Sequence, residues 1–321
     1  MLSQAANPTG LDRALLRREL TEALADWGAA DPERLEGPVE RELRDFSDEA
    51  LAIAVSRLHE AEQDWGFHPH DPVARRLSRL GHGLVMQPGS ELLGQEHLAV
   101  ARERPVFFVA NHLSFVDANV FDALFASQGQ REIADRLTVL VGPKVYASVT
   151  RRLASMCFGA IKIPQSQSRA SGEAVMPRRE VARLAVETLA CVAERHAAGD
   201  QVLIFVEGTR SRTGAMQRVL AASARYFEGA GALVIPVGLW GTEQLVPLET
   251  ERVTASAVHA RVGRPVDAAE LAVRAGGRRP VVADALGYLI ARLLPARYRG
   301  VYGSVPPGFE PAQAAAKAFS S

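Results

Sequence analysis

Residues 105 to 117 read Pro105-Val-Phe-Phe-Val-Ala-Asn-His-Leu-Ser-Phe-Val-Asp117, an apolar run that stops at Asn111 and His112, with Asp117 five positions beyond the histidine. The β-favouring run predicts a strand, and the polar residues mark where it ends. Working outward, similar short runs recur at Leu137 to Val141, Ala160 to Ile163, Val202 to Val206, Leu233 to Val237 and Val258 to Val262. Between them lie longer amphipathic stretches, read as helices near 117–127, 145–156, 178–198, 215–228 and 280–294. Such alternation predicts an α/β fold, a central mostly β-sheet flanked by helices.

Upstream of Pro88-Gly89 the pattern is different. Leu11, Leu15, Leu20, Leu24 and Trp27 recur at helical spacing, and so do Val39, Leu43, Phe46, Ile53, Ala54 and Leu58. Asp31-Pro32 separates these two stretches, and Asp71-Pro72 reads as a cap opening a third helix through Arg75, Arg76 and Arg79. The expected organisation is a helical N-terminal domain over 1–89, an α/β domain over 90–303 and a frayed tail over 304–321. Gln165 to Pro177, without periodicity, reads as a loop. Pro236 inside the Val234 to Val237 run calls for an edge, a bulge or a strand end.

The chain of 321 residues is 47% hydrophobic and carries 37 basic against 37 acidic side chains, so its overall charge makes no case for nucleic-acid binding. Charge is distributed unevenly. Residues 144–179 hold Lys144, Arg151, Arg152, Lys162, Arg169, Arg178 and Arg179 against the single acid Glu173, a region suited to an anionic ligand. Cys157 and Cys191 are the two cysteines and form no Cys-x-x-Cys pair, which argues against a disulfide framework or a zinc site. No apolar run reaches the roughly 18 residues of a membrane span. The expectation is a cytoplasmic protein, peripheral on the inner face of the membrane, and the basic, partly apolar stretch from Arg75 to Met86 is a candidate either to lie on the bilayer or to pack on the α/β domain.

A histidine at a strand end is reachable by substrate, and a carboxylate a turn later orients its ring and stabilises the imidazolium formed on proton uptake. Spacing alone decides nothing, because His59 and Asp64 share it in an acidic helical stretch that reads as a solvated face. A second segment, Val202-Leu-Ile-Phe-Val-Glu-Gly-Thr-Arg-Ser-Arg-Thr-Gly214, empties a strand into Glu207, Gly208, Thr209, Arg210, Ser211 and Arg212. Glycine lets backbone N–H groups approach an anion, and two guanidiniums match phosphate oxygens. Taken alone, the same turn also reads as an ordinary polar connection. His68-Pro-His70-Asp71 brings two imidazoles together without a third ligand, and Asp71 is already accounted for as a cap.

In order and spacing, Asn111 to Asp117, Phe205 to Ser211 and Val234 to Val237 resemble the blocks of the glycerolipid acyltransferase family typified by 1-acylglycerol-3-phosphate acyltransferases. The resemblance covers about residues 90–245 and implies transfer of a fatty acyl group from acyl-CoA or acyl carrier protein to lysophosphatidate. It implies no cofactor beyond that co-substrate, with lysophospholipid or glycerol-3-phosphate and a membrane surface as partners. Residue by residue it makes His112 the general base, Asp117 its partner, Glu207, Gly208, Thr209 and Arg210 the acceptor site, and Pro236 a residue shaping the pocket. Val206 and Gln165 depart from the family pattern, the latter where the family commonly has a phosphate-binding Arg, so Lys162 or a basic residue of the following loop stands in as a candidate contact, and Arg212 is a further candidate on the Glu207 turn itself. A soluble glycerol-3-phosphate acyltransferase is the first alternative, because a helical segment ahead of the catalytic domain resembles that type. An acyl-CoA thioesterase and a non-catalytic lipid-binding protein are the others.

Overall fold

Two Asp-Pro steps start helices as the sequence suggests. Asp31 accepts a hydrogen bond from the Glu33 N–H and Asp71 from the Val73 and Ala74 N–H groups, while the prolines occupy first-turn positions whose N–H would have no partner. The computed structural model describes residues 12–28, 30–60, 64–146, 148–164, 176–228, 231–247 and 253–319. Its N-terminal part holds α1 (Arg13–Gly28), α2 (Pro32–Leu43), α3 (Asp48–His59), β1 (Gly66–His68) and α4 (Pro72–Val85). The stretch read as one helix from Val39 to Leu58 is two, because Ser47 caps α3 by accepting from the Ala50 N–H. Leu16, Leu20, Leu24, Val39, Leu43, Leu51, Leu58 and Leu77 close a core that also takes Leu153 and Met156 from the later, α/β part of the chain.

The remainder runs β2 (Glu91–Leu93), α5 (Ala99–Glu103), β3 (Phe107–Ala110), α6 (Asp117–Ser127), α7 (Arg131–Asp135), β4 (Leu137–Val141), α8 (Val149–Ser155) and β5 (Gly159–Lys162). It continues through α9 (Arg178–Ala197), β6 (Gln201–Phe205), β7 (Leu233–Trp240), α10 (Thr242–Leu245), β8 (His259–Val262), β9 (Val266–Asp267), α11 (Ala268–Arg274), α12 (Arg279–Leu293) and α13 (Glu310–Lys317). Among the described residues the sheet has nine strands in the order β1-β5-β4-β6-β3-β7-β8-β2, with β9 beside β7. The five central strands from β5 to β7 are parallel, and the pairs β1·β5, β7·β8 and β7·β9 are antiparallel. Parallel strands lie under helices on both faces, which is why β3 and β4 are buried along their whole length and read as unbroken apolar runs.

Alternation along the strands divides the core in two. Phe107 and Val109 face the layer of α12 and the 216–227 segment, whereas Phe108 and Ala110 face α6. The chain leaves β3 into α6 on one face and leaves neighbouring β6 into the 216–227 segment on the other. A crevice therefore opens at the carboxyl ends of these two strands, the usual ligand position in open α/β sheets.

Several expectations are corrected. The 215–228 segment is not an α-helix: the N–H groups of Met216, Gln217, Val219 and Leu220 donate to Tyr298, Glu207, Tyr302 and Val206, and a 3-10 helix forms only over Ala221–Phe227. The tail is not frayed throughout, since α13 buries Ala312, Ala315 and Ala316 and packs along α12. The helical N-terminal segment contributes β1, which pairs with β5, so it is joined to the sheet. Most of the expected 165–177 loop, with Arg169 and Glu173, lies outside the described residues, as does Leu11.

Candidate active site

Residue 112 is held from both sides by the second motif. Its backbone N–H donates to Glu207 Oε1 at 2.9 Å, and its carbonyl accepts from the Ser211 N–H at 2.7 Å. These bonds follow from the sheet, because Ala110 and Phe205 are register partners in parallel strands and the residues just beyond them meet at one edge. On the other side, Asn111 extends the β3·β7 pairing, its amide donating to the Leu239 carbonyl and accepting from the Leu239 N–H, each at 2.8 Å.

The imidazole stacks on Phe205 at 4.3 Å between ring centroids, and its Nδ1 lies 2.8 Å from Asp117 Oδ2. A carboxylate only accepts, so Nδ1 carries the proton and Nε2 keeps the lone pair. The same Asp117 oxygen accepts from the Leu113 and Ser114 N–H groups at 2.6 and 3.0 Å. Asp117 is fully buried at the first residue of α6, where the helix dipole favours negative charge. His112 keeps 19% of its side chain exposed, enough for a substrate to reach. A buried carboxylate, an oriented ring and an accessible second nitrogen are an arrangement able to act as a general base.

The Glu207 turn is shaped by backbone demands. Gly208 adopts φ +67, and a Cβ there would come within 2.2 Å of Leu220 Cδ1. Glu207, expected in the acceptor site, is fully buried, and its second oxygen accepts from the Gln217 N–H at 2.6 Å. In this structure it braces the site instead of facing it. Gln217 Nε2 donates to the Arg210 carbonyl at 3.2 Å and closes the turn from beneath. Thr209 and Arg210 are half-exposed, and Arg212 is exposed on the same turn.

Arg210 lies over the ring of Phe115, 3.1 Å from its centroid, and Arg151 of α8 lies over the same ring at 4.3 Å. Phe115 sits between His112 and Asp117 in the chain, so two guanidiniums stack on the segment that joins them. Arg151 belongs to the basic region of the sequence, yet nothing in its spacing singles it out. Lys162 has an aromatic setting of its own. It is buried at the end of β5, with its ammonium 5.1 Å from the Trp65 ring and 5.2 Å from the Tyr146 ring. Arg152 donates to the Leu58 and Tyr146 carbonyls and is structural.

Residues 90–240 are similar to the Acyltransferase family. The family model matches this stretch, just under half of the chain, and the stretch contains His112, Asp117 and the Glu207 turn. Among solved structures, the crystal structure of the 1-acyl-sn-glycerophosphate (LPA) acyltransferase PlsC from Thermotoga maritima aligns at 17% identity with a TM-score of 0.43, covering 80% of this chain and 88% of that one. No curated protein matches the sequence.

The remaining sequence candidates have other settings. His59 pairs with Glu19 at 3.0 Å on the exposed helical surface, as a solvated face should. Pro236 pairs in register with Val109 and lies where β8 gives way to β9, with its carbonyl accepting from the Gly263 N–H, so its missing donor falls at a break in the ladder. It lines a cavity of about 340 Å³ with Arg261, Arg264, Leu289 and Arg292. That cavity is on the α12 face, whereas the His112 ring rests on Phe205, which packs against the α6 face. Pro236 therefore does not line the crevice at His112. Of the stretch from Arg75 to Met86, Arg75 and Ser78 are buried and Arg79 is paired with Asp122, so α4 packs on α6. Among the described residues, no helix is long and apolar enough to cross a membrane.

Proposed function

We propose that this chain transfers a fatty acyl group from the thioester of acyl-CoA or acyl carrier protein to the free hydroxyl of lysophosphatidate, with His112 as general base. The observation that carries the reading is the joining of His112 to the Glu207–Arg210 turn by two backbone hydrogen bonds, which sets an oriented base beside a basic, glycine-containing turn. The acceptor hydroxyl gives its proton to Nε2 as its oxygen attacks the thioester carbonyl. The tetrahedral intermediate collapses with cleavage of the C–S bond, and the imidazolium returns the proton to the departing thiolate. Thioester and alcohol become ester and thiol, with no covalent enzyme intermediate and no cofactor.

Arg210 and Arg151, both against Phe115, supply guanidinium forks suited to the acceptor phosphate. Lysophosphatidate resides in bilayers, so the enzyme works peripherally at a membrane surface. The test is thiol release from palmitoyl-CoA by the purified protein with lysophosphatidate, with glycerol-3-phosphate and with no acceptor. Stimulation by lysophosphatidate supports the reading. Stimulation by glycerol-3-phosphate alone moves the assignment to that acceptor, acceptor-independent release makes the protein a thioesterase, and no release leaves a lipid-binding protein.

A further inference from the structure

The helix that carries Asp117 also carries two polar residues that the chemistry above does not use. Every residue from Asp117 to Phe125 is buried, and within this apolar stretch Asn119 and Asp122 are 2% and 0% exposed. A carboxylate is seldom taken into a core without a partner, because the loss of hydration must be offset. Here α4 provides the partner. Arg79 Nε and Nη2 donate to the two oxygens of Asp122, each at 2.8 Å, and Nη2 also reaches Asp135 Oδ1 at 2.8 Å.

Asn119 Nδ2 lies 3.2 Å from Ser78 Oγ of α4, 2.8 Å from the Ala154 carbonyl and 3.0 Å from Cys157 Sγ. Arg75, one turn before Arg79, donates to the Cys157 and Asp135 carbonyls at 2.7 and 3.0 Å. Apolar contacts between helices tolerate small slides and rotations, but a bidentate guanidinium–carboxylate pair does not. These bonds therefore fix where α6 sits along and around its axis. Asp122 is five residues beyond Asp117 on the same helix, and the 2.8 Å bond from His112 Nδ1 to Asp117 fails if the helix start moves by about an ångström.

We propose that Arg79, through its bidentate pair with Asp122, is a positioning residue for the acyl-transfer base: the helical N-terminal segment, by way of α4, holds α6 so that Asp117 keeps the His112 ring in place. The inference rests on His112 acting as base, but its structural content can be tested separately. Double replacement Arg79→Met with Asp122→Leu removes both charges and retains apolar bulk, so the fold is expected to survive or gain stability. Two readouts are taken. One is the low-field His112 Nδ1 proton resonance, which reports the bond to Asp117 without substrate, and the other is the split between kcat and KM with palmitoyl-CoA and lysophosphatidate.

The expected result is a double variant that melts at or above the wild-type temperature, loses or shifts that resonance, and shows kcat at least tenfold lower with KM for both substrates unchanged. A folded double variant with wild-type resonance and kcat overturns the proposal. If the double variant fails to fold, Arg79→Lys keeps the charge and gives up the fork, and an unchanged resonance and kcat in that variant overturn it equally. Should the wild type transfer no acyl group to any acceptor while the resonance still depends on Arg79, the proposed function fails and the positioning role stands.

Discussion

Replacing Asp117 with Asn retains the shape of the side chain and removes its charge, and the structure sets the size of the effect. Oδ2 accepts three N–H groups, from the His112 ring and from the backbone of Leu113 and Ser114, while Oδ1 is buried without a hydrogen-bond partner. An Asn oxygen can take the Oδ2 position, leaving an NH2 group buried where Oδ1 was, at a stability cost of about 1–3 kcal/mol. The larger effect is on the barrier. In the proposed mechanism His112 takes the acceptor proton and becomes a cation about 4 Å from the carboxylate, an attraction of roughly 4 kcal/mol at an effective dielectric constant near 20. Its loss corresponds to a rate decrease of about a thousandfold. Asp117 has no exposed surface, so the change is expected in kcat with little effect on KM. The assay is steady-state thiol release from palmitoyl-CoA with lysophosphatidate, beside a thermal melt to confirm folding. A folded Asp117→Asn enzyme within tenfold of wild-type kcat would refute the assignment of Asp117 as the partner of the base.

Three further outcomes are expected. Glu207→Gln offers one carbonyl oxygen where two N–H groups, from His112 and Gln217, need acceptors at 2.9 and 2.6 Å, so thermal stability should fall by about 1–3 kcal/mol together with kcat, and wild-type melting and turnover would contradict the bracing role. Arg151→Ala should raise KM for a phosphorylated acceptor roughly tenfold and leave KM for a monoacylglycerol unchanged, so equal effects on both acceptors count against a phosphate contact. Burial pushes the His82 imidazole down to about 4, with Nδ1 on the Ser78 carbonyl and the ring on Trp27. Its folded-state pKa lies below the unfolded one, so the unfolded chain binds the extra proton and stability is lost as pH falls through 6.5 toward 4. At pH 5 the loss is about 2 kcal/mol. Denaturant melts at pH 8 and pH 5 should show a smaller loss for His82→Phe than for wild type, and identical losses would exclude this source.

The sequence is most legible where one physical pattern dominates. The runs behind β3, β4 and β6 are buried on both faces and stand out as unbroken apolar segments, and α6 begins at Asp117 and ends at Ser127 as its periodicity indicates. β1, β2 and β9 span three, three and two residues, too short for any alternation to register, and are defined by their neighbours. The 216–220 segment has helical composition, but its N–H groups are claimed by Tyr298, Glu207, Tyr302 and Val206, so tertiary bonds override local preference. Helix α13 is alanine-rich, and its burial depends on small side chains approaching α12, which a hydrophobicity pattern barely shows.

At the site, the meeting of His112 and the Glu207 turn is implied by two strand ends, and their order in the chain suggests it. Not legible there are roles that depend on a partner far away in sequence: Phe205 beneath the ring, Gln217 under the turn, Arg151 across Phe115, and Arg79 against Asp122. Arg79 and Arg75 look like one polar face of an amphipathic helix, and only the position of α6 shows that they point inward.

The most direct measurement is the lysophosphatidate-dependent rate of CoA release from palmitoyl-CoA by the wild-type chain and by His112→Ala, each confirmed folded by its melt. The wild type is expected to release CoA in step with ester formation, and loss of the imidazole to slow this by roughly a hundredfold or more. An undiminished rate in His112→Ala would contradict the assignment of residue 112 as the base.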